Sequence, residues 1–158
     1  MKIIQTFFAA VVVSAAGASC SPQKPKDCPP VTARAILSET DEVRRYLQQA
    51  NIQAVEDSLG YFYVIEAPGS EKKPNPCSDV TVDYEGFLTS GTSFDAGKNV
   101  SFNLSQLIIG WQMGIPKIGE GGKITLYLPP SLAYGDAAAG EIPAHSILVF
   151  KIALKKVE

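Results

Sequence analysis

Apolar residues recur every third or fourth position in one early stretch of this 158-residue chain and at every second position later, which separates a helical part from a β-rich part. Between Ser38 and Asn51, the residues Val43, Tyr46, Leu47 and Ala50 fall at i, i+3, i+4 and i+7, which predicts one amphipathic helix. Ser38 and Asp41 have the spacing of an N-terminal box, Asp41 and Arg45 are four apart, and Asn51 is a stop signal. Tyr61-Phe62-Tyr63-Val64-Ile65, aromatic and β-branched between Gly60 and Ala67-Pro68-Gly69, reads as a strand. Pro74, Asn75 and Pro76 make Ser70 to Ser78 a loop. Val80, Val82 and Tyr84 alternate with Thr81, Asp83 and Glu85 in a second strand, and Gly91 suits a turn before Phe94-Asp95. A third strand carries Val100, Phe102 and Leu104. Leu107, Ile108, Trp111 and Ile115 are at helical spacing, so a single short helix precedes Pro116. Ile124, Leu126 and Leu128 form a fourth strand that Pro129-Pro130 ends; Ser131 to His145 is a long loop, and a closing strand starts at Ile147. The expected fold class is α+β: a curved antiparallel sheet wrapped against one short helix, with an N-terminal helical extension.

The first residues change the picture of where the chain works. Met1-Lys2 supplies a positive charge, an apolar stretch runs from Ile3 to Val13, and Ala15 to Ser19 are all small, which is the layout of a secretory signal over residues 1–19. The apolar stretch is too short for a membrane span, which needs about 20 residues. Gly17-Ala18-Ser19-Cys20 is similar to a bacterial lipoprotein box, so Cys20 is expected to carry lipid and anchor the chain; Gly17 stands where a larger aliphatic residue is usual, and plain cleavage nearby is the alternative. Ser21 to Pro30 holds four prolines and two lysines with no large aliphatic residue until Val31, so residues 20–37 read as a lipidated cysteine and flexible tether. Residues 38–59 are the helical extension and 60–158 the principal domain. With Cys20 acylated, Cys28 and Cys77 remain as an even pair, either a disulfide stapling the tether to the domain or two reduced thiols. A net charge of -2 without a basic run argues against a nucleic-acid partner. One histidine and no Cys-x-x-Cys argue against a metal site, and nothing in the pattern asks for a cofactor.

Candidate chemistry lies in the last half. Val80-Thr81-Val82-Asp83-Tyr84-Glu85-Gly86, Gly91-Thr92-Ser93-Phe94-Asp95, Ile108-Ile109-Gly110-Trp111, Leu132-Ala133-Tyr134-Gly135 and Glu141-Ile142-Pro143-Ala144-His145 occur in that order. Aromatic rings recurring on strands and loops with one acid and a few hydroxyls point to an apolar pocket with a weakly polar lip and no nucleophile. From about Gly60 to Glu158, ending in Ile147-Leu148-Val149-Phe150-Lys151-Ile152, the order and spacing resemble the FKBP-type peptidyl-prolyl cis-trans isomerases.

That resemblance implies the site residue by residue. Trp111 would form the pocket floor and Tyr84, Phe94 and Phe150 its walls, while Leu107 and Ile108 would line one side, with the Ile108 N–H donating to the bound group. Tyr134 would hydrogen-bond a substrate carbonyl, Asp95 would order Tyr84 at the rim, and Ile142 would pack over the open side. The third strand is shortened against the family, so Val100 takes the wall position and Phe102 receives no role. The plain loop Asp136 to Gly140, and Ala144 where a second proline is common, bear on substrate preference. On pattern alone Trp111 and Phe150 read as core, Asp95 as a turn acid and His145 as a strand-entry residue.

The resulting expectation is a peptidyl-prolyl isomerase acting on proline-containing unfolded or folding polypeptides. The family also implies macrolide-type inhibitors. Its place would be an exported position, lipid-anchored at the outer membrane and facing the periplasm. One rival is a tethered chaperone or partner-binding module that uses the same pocket with little turnover. Another is a eukaryotic secretory-pathway isomerase, suggested by the glycosylation-type triplets Asn99-Val100-Ser101 and Asn103-Leu104-Ser105; the C-terminal Lys155 to Glu158 is no retention signal.

Overall fold

The computed structural model describes residues 28–158, so the signal segment and Cys20 lie outside the described residues. Helix α1 spans Leu37–Gln49. Strands β1 (Val55–Glu56), β2 (Phe62–Ala67), β3 (Asp79–Leu88) and β4 (Ser93–Asn103) follow, then helix α2 (Ile109–Gly114), β5 (Lys123–Leu128) and β6 (Leu148–Val157). The six strands form one sheet in the order β1-β2-β5-β6-β3-β4, with every neighbouring pair antiparallel.

Strand periodicity gives the sheet two apolar faces, each with its own cover. Val80 and Val82 of β3, Ile124, Leu126 and Leu128 of β5, and Leu148, Phe150, Ile152 and Leu154 of β6 bury inward, where Trp111 and Ile115 meet them. The opposite face presents Phe62, Tyr127 and Val149, and α1 closes it with Val43 and Leu47. Full burial of one such aliphatic side chain contributes about 1.5–3 kcal/mol, enough for α1 to be held by packing rather than by its own propensity. Coverage from both sides is why β5 is buried at five consecutive positions, although its sequence alternates. Thr125, polar and on the α1 side, satisfies its hydroxyl by donating to Glu66 Oε1 at 2.5 Å.

Helix α2 sits unusually close to the sheet. A Cβ added at Gly110 would lie 2.4 Å from Leu128 Cδ1, and one at Gly114 2.6 Å from Leu126 Cδ1. These two glycines, four apart on one face, let the backbone descend onto β5 and fix the height of Trp111 between them.

Several expectations are corrected. The helix begins at Leu37, with Ile36 at its N-cap and no side-chain cap from Ser38. Asp41 pairs with Arg44 rather than Arg45, whose Nε instead reaches the Asp41 backbone carbonyl. Val55–Glu56, inside the stretch read as a helical extension, is a strand pairing with β2. The tether is fastened from Cys28 on: Cys28 is disulfide-bonded to Cys77, Ala35 donates to the Leu59 carbonyl at 2.8 Å, and Ala35 is buried in the core. The third strand is the 11-residue β4, starting at Ser93, and Leu104 belongs to a 3₁₀ turn, Leu104–Gln106. Alternation concealed that strand because two bulges interrupt its register with β3, between Val82 and Tyr84 and between Gly86 and Phe87.

Candidate active site

The second bulge sets Phe94 and Asp95 beside a cluster of aromatic rings. Gly86 pairs with Asp95 and Phe87 with Ser93, so Phe94 is the extra residue. In a regular strand Phe94 and Asp95 would face opposite sides of the sheet; the bulge lets both side chains meet the same ring cluster. Gly86 makes room for it, because a Cβ there would stand 2.6 Å from Phe94 Cζ and 3.0 Å from Phe150 Cε1. A glycine inside a strand signals such a close approach, and that was the mark available in the sequence.

Around Trp111 the rings pack edge to face. Tyr84 lies 5.2 Å from it by ring centroid, Phe150 5.3 Å and Phe102 5.9 Å, at interplanar angles of 78°, 90° and 87°. Phe94 extends the series, 5.5 Å from Phe150 at 88°. This geometry sets the positive edge of one ring against the negative face of the next, about 0.5–1.5 kcal/mol per pair beyond area burial. Phe102, given no role above, is therefore a member of the ring cluster; Val100 shares its strand face opposite Val82, but the ring that meets Tyr84 and Trp111 is that of Phe102. Trp111 is 5% exposed and its Nε1 has no hydrogen-bond partner among the described residues. An unpaired buried N–H costs about 1–3 kcal/mol, so the packing at Trp111 is shaped for its ring rather than for its polar atom.

One acid meets this cluster. The Tyr84 hydroxyl donates to Asp95 Oδ2 at 2.8 Å. Desolvation, then the hydrogen bond and charge of Asp95, and last the field of Tyr134, push the Tyr84 phenol up to about 12. Tyr84 therefore stays a neutral donor at any physiological pH.

The remaining predicted residues surround the rings. Leu107 and Ile108 pack on the cluster just before α2, and Ile142 is buried in it from the long loop. The Ile108 N–H has no protein acceptor among the described residues, while its carbonyl accepts from Trp111 N at 3.0 Å. Tyr134, 44% exposed, follows a 3₁₀ turn at Pro130–Leu132. His145 lies apart in an exposed pair with Asp136, its Nδ1 3.1 Å from the carboxylate, and adopts φ 59°. No cluster of three or more metal-ligating side chains occurs among the described residues.

The architecture and sequence have relatives. Residues 70–155, more than half of the chain, match the model of the FKBP-type peptidyl-prolyl cis-trans isomerase family. The FKBP-type isomerase FkpA of Buchnera aphidicola subsp. Schizaphis graminum is 42% identical over 106 residues, 64% of this chain and 42% of the relative. The chain thus spans about two fifths of the length of the curated relatives it matches. The crystal structure of FkpA from Escherichia coli superposes with a TM-score of 0.69 at 34% identity, over 77% of this chain and 60% of that one. A peptidyl-prolyl isomerase of Pseudomonas syringae pv. tomato gives a TM-score of 0.68 at 28% identity, over 81% of this chain and 99% of that one.

Proposed function

This chain belongs to the FKBP-type peptidyl-prolyl cis-trans isomerase family, and from that premise we propose that it accelerates rotation about X-Pro bonds in proline-containing polypeptides. The observation that carries the proposal is the packing of Tyr84, Phe94, Phe102, Trp111 and Phe150 into one ring cluster that the Tyr84–Asp95 hydrogen bond joins to its acid. Rotation about a peptide bond meets a barrier of about 18–20 kcal/mol because resonance must be broken, and no covalent partner is required. A proline ring seated on Trp111 leaves water behind, and the imide loses the solvent hydrogen bonds that favour its planar, charge-separated form. The twisted state, with less C–N double-bond character, fits that dry wall better, which is the differential binding that a rate increase needs.

Polar groups orient the chain around the ring. In this reading the Ile108 N–H, without a protein acceptor among the described residues, donates to a substrate carbonyl and Tyr134 donates to a second one. Asp95, held by Tyr84, presents its carboxylate beside the rotating amide. Val100 and Ile142 complete the apolar enclosure, and macrolide-type inhibitors would occupy the same hollow.

We place the protein outside the cytosol, lipid-anchored through Cys20 at the outer membrane and facing the periplasm. Support comes from the signal-like residues 1–19, the cysteine box and a Cys28–Cys77 disulfide suited to an oxidising compartment. Intact mass of the membrane-extracted protein tests this: an acylated species starting at Cys20 is expected, and a free N-terminus elsewhere overturns the anchor. For activity, refolding of a substrate limited by a proline isomerisation is expected to speed up in the protein's presence. Unchanged refolding with suppressed aggregation would reject turnover in favour of a holding role.

A further inference from the structure

The helix N-terminus that lacks a cap of its own is completed by the loop carrying Tyr134. Glu39 is the third residue of α1, where a capping-box glutamate ordinarily accepts from the N-cap amide. Here the Ser131 hydroxyl stands between them: Ile36 N–H donates to Ser131 Oγ at 3.3 Å, and Ser131 Oγ donates to Glu39 Oε2 at 2.5 Å. The Ser131 backbone N–H donates to the same oxygen at 2.9 Å. Glu39 and Ser131 are 92 residues apart, and Glu39 lies outside the family match that begins at residue 70.

Both sides of this joint are stiff. On the helix side, Thr40 Oγ1 donates to the Gly60 carbonyl at 3.1 Å, and Val43 below it is fully buried. On the loop side, Ser131 sits inside a closed turn in which Ala133 N and Gly135 N both donate to the Pro130 carbonyl, at 2.9 and 2.8 Å. Tyr134 is the residue between those two amides, so whatever fixes the turn fixes the root of its side chain.

We propose that Glu39 is a positioning residue for the isomerase site, acting through Ser131 to hold the Tyr134 loop, so that the N-terminal helix is part of the catalytic unit. The role rests on the isomerase reading, while its first test does not depend on turnover. In Glu39→Ala, amide exchange at Ala133 and Gly135 is expected to rise about tenfold while β6 amides are unchanged. With a proline peptide the same variant is expected to raise KM about threefold to tenfold with kcat within about twofold, the signature of lost binding. Glu39→Gln, which keeps an acceptor oxygen, is expected to recover most of both effects. Arg44→Ala, which loosens α1 at its Glu56 partner, is expected to leave KM within about twofold. In a Tyr134→Phe background the Glu39→Ala effect on KM is expected to vanish.

Unchanged exchange at Ala133 and Gly135 in Glu39→Ala overturns the proposal, as does an equal KM increase in Arg44→Ala. Should the wild-type protein show no turnover while exchange responds as expected, the isomerase reading falls and the helix–loop coupling stands.

Discussion

Tyr84 and Asp95 face each other across the β3–β4 hairpin with the phenol donating to the carboxylate at 2.8 Å, and a bulge at Phe94 puts the acid on the side of the sheet where the tyrosine is. This contact joins Asp95 to the aromatic cluster, because the same Tyr84 ring packs edge to face with Trp111.

Asp95→Ala is expected to lower kcat/KM about tenfold, roughly 1.4 kcal/mol of transition-state stabilisation. Trp111→Ala should lower it further and cost about 3–5 kcal/mol of stability through the cavity it leaves. Tyr46→Ala, on α1 against Tyr127 across the sheet from the cleft, is expected to stay within about twofold. A peptide-based isomerase assay on the three variants checks the order, and equal losses in all three would reject the site.

Alkaline pH should separate Tyr84 from ordinary tyrosines. Its folded-state pKa is raised to about 12 from 10.0, so the neutral form is the one the fold favours. The associated stability is complete below about pH 10 and is lost as pH rises toward 12. Activity is therefore expected to be flat through neutral pH with respect to this group. In Asp95→Asn the Tyr84 titration should move down toward its ordinary value, read as tyrosinate absorbance against a Tyr84→Phe reference.

Gly86→Ala tests whether ring placement rather than ring presence sets the rate. The added methyl would displace Phe94 or Phe150, whose ring atoms lie within about 3 Å of it. A loss of kcat/KM of about fivefold or more is expected, with near-native secondary structure by circular dichroism. Full activity would show that the wall tolerates a shifted Phe94.

Cys28→Ser is expected to lower unfolding free energy by about 2–4 kcal/mol, because the disulfide closes a loop across 49 positions. Turnover at low temperature should remain within about twofold, since neither cysteine belongs to the ring cluster. Denaturant unfolding of the variant against the oxidised parent measures the difference, and equal midpoints would mean that the bridge constrains nothing.

Leu47→Ala removes the second α1 side chain buried against Tyr127 and Val149 and is expected to cost about 2–5 kcal/mol. Thermal unfolding should show one transition shifted downward, because the helix shares a sheet with the cleft. Two separate transitions would mean that α1 folds as an independent extension.

Much of this was legible from residue order. Alternation in Val80 to Tyr84 and Ile124 to Leu128, together with residue type and punctuation by Gly, Asn and Pro, identifies four of the five longer strands and both helices, because apolar period reports which face an element buries. The aromatic motifs and Asp95 are legible as a site through their order and spacing, which resemble the FKBP-type isomerases; on pattern alone Trp111 and Phe150 read as core and Asp95 as a turn acid. What the sequence left closed were strand register and the cover that one segment gives another. Bulges at Phe94 and around Asn99 break the period-2 signal, so β4 and the place of Phe102 emerge only when β3 supplies a register. Thr125 and Tyr127 alternate away from the Ile124–Leu128 face until α1 covers them, and Ser38 reads as the start of a helix box until the fold shows Ser131 completing the first turn of α1. Local pattern determines what each segment can bury; long-range contact decides which segment covers it, and that is a property of the folded chain alone.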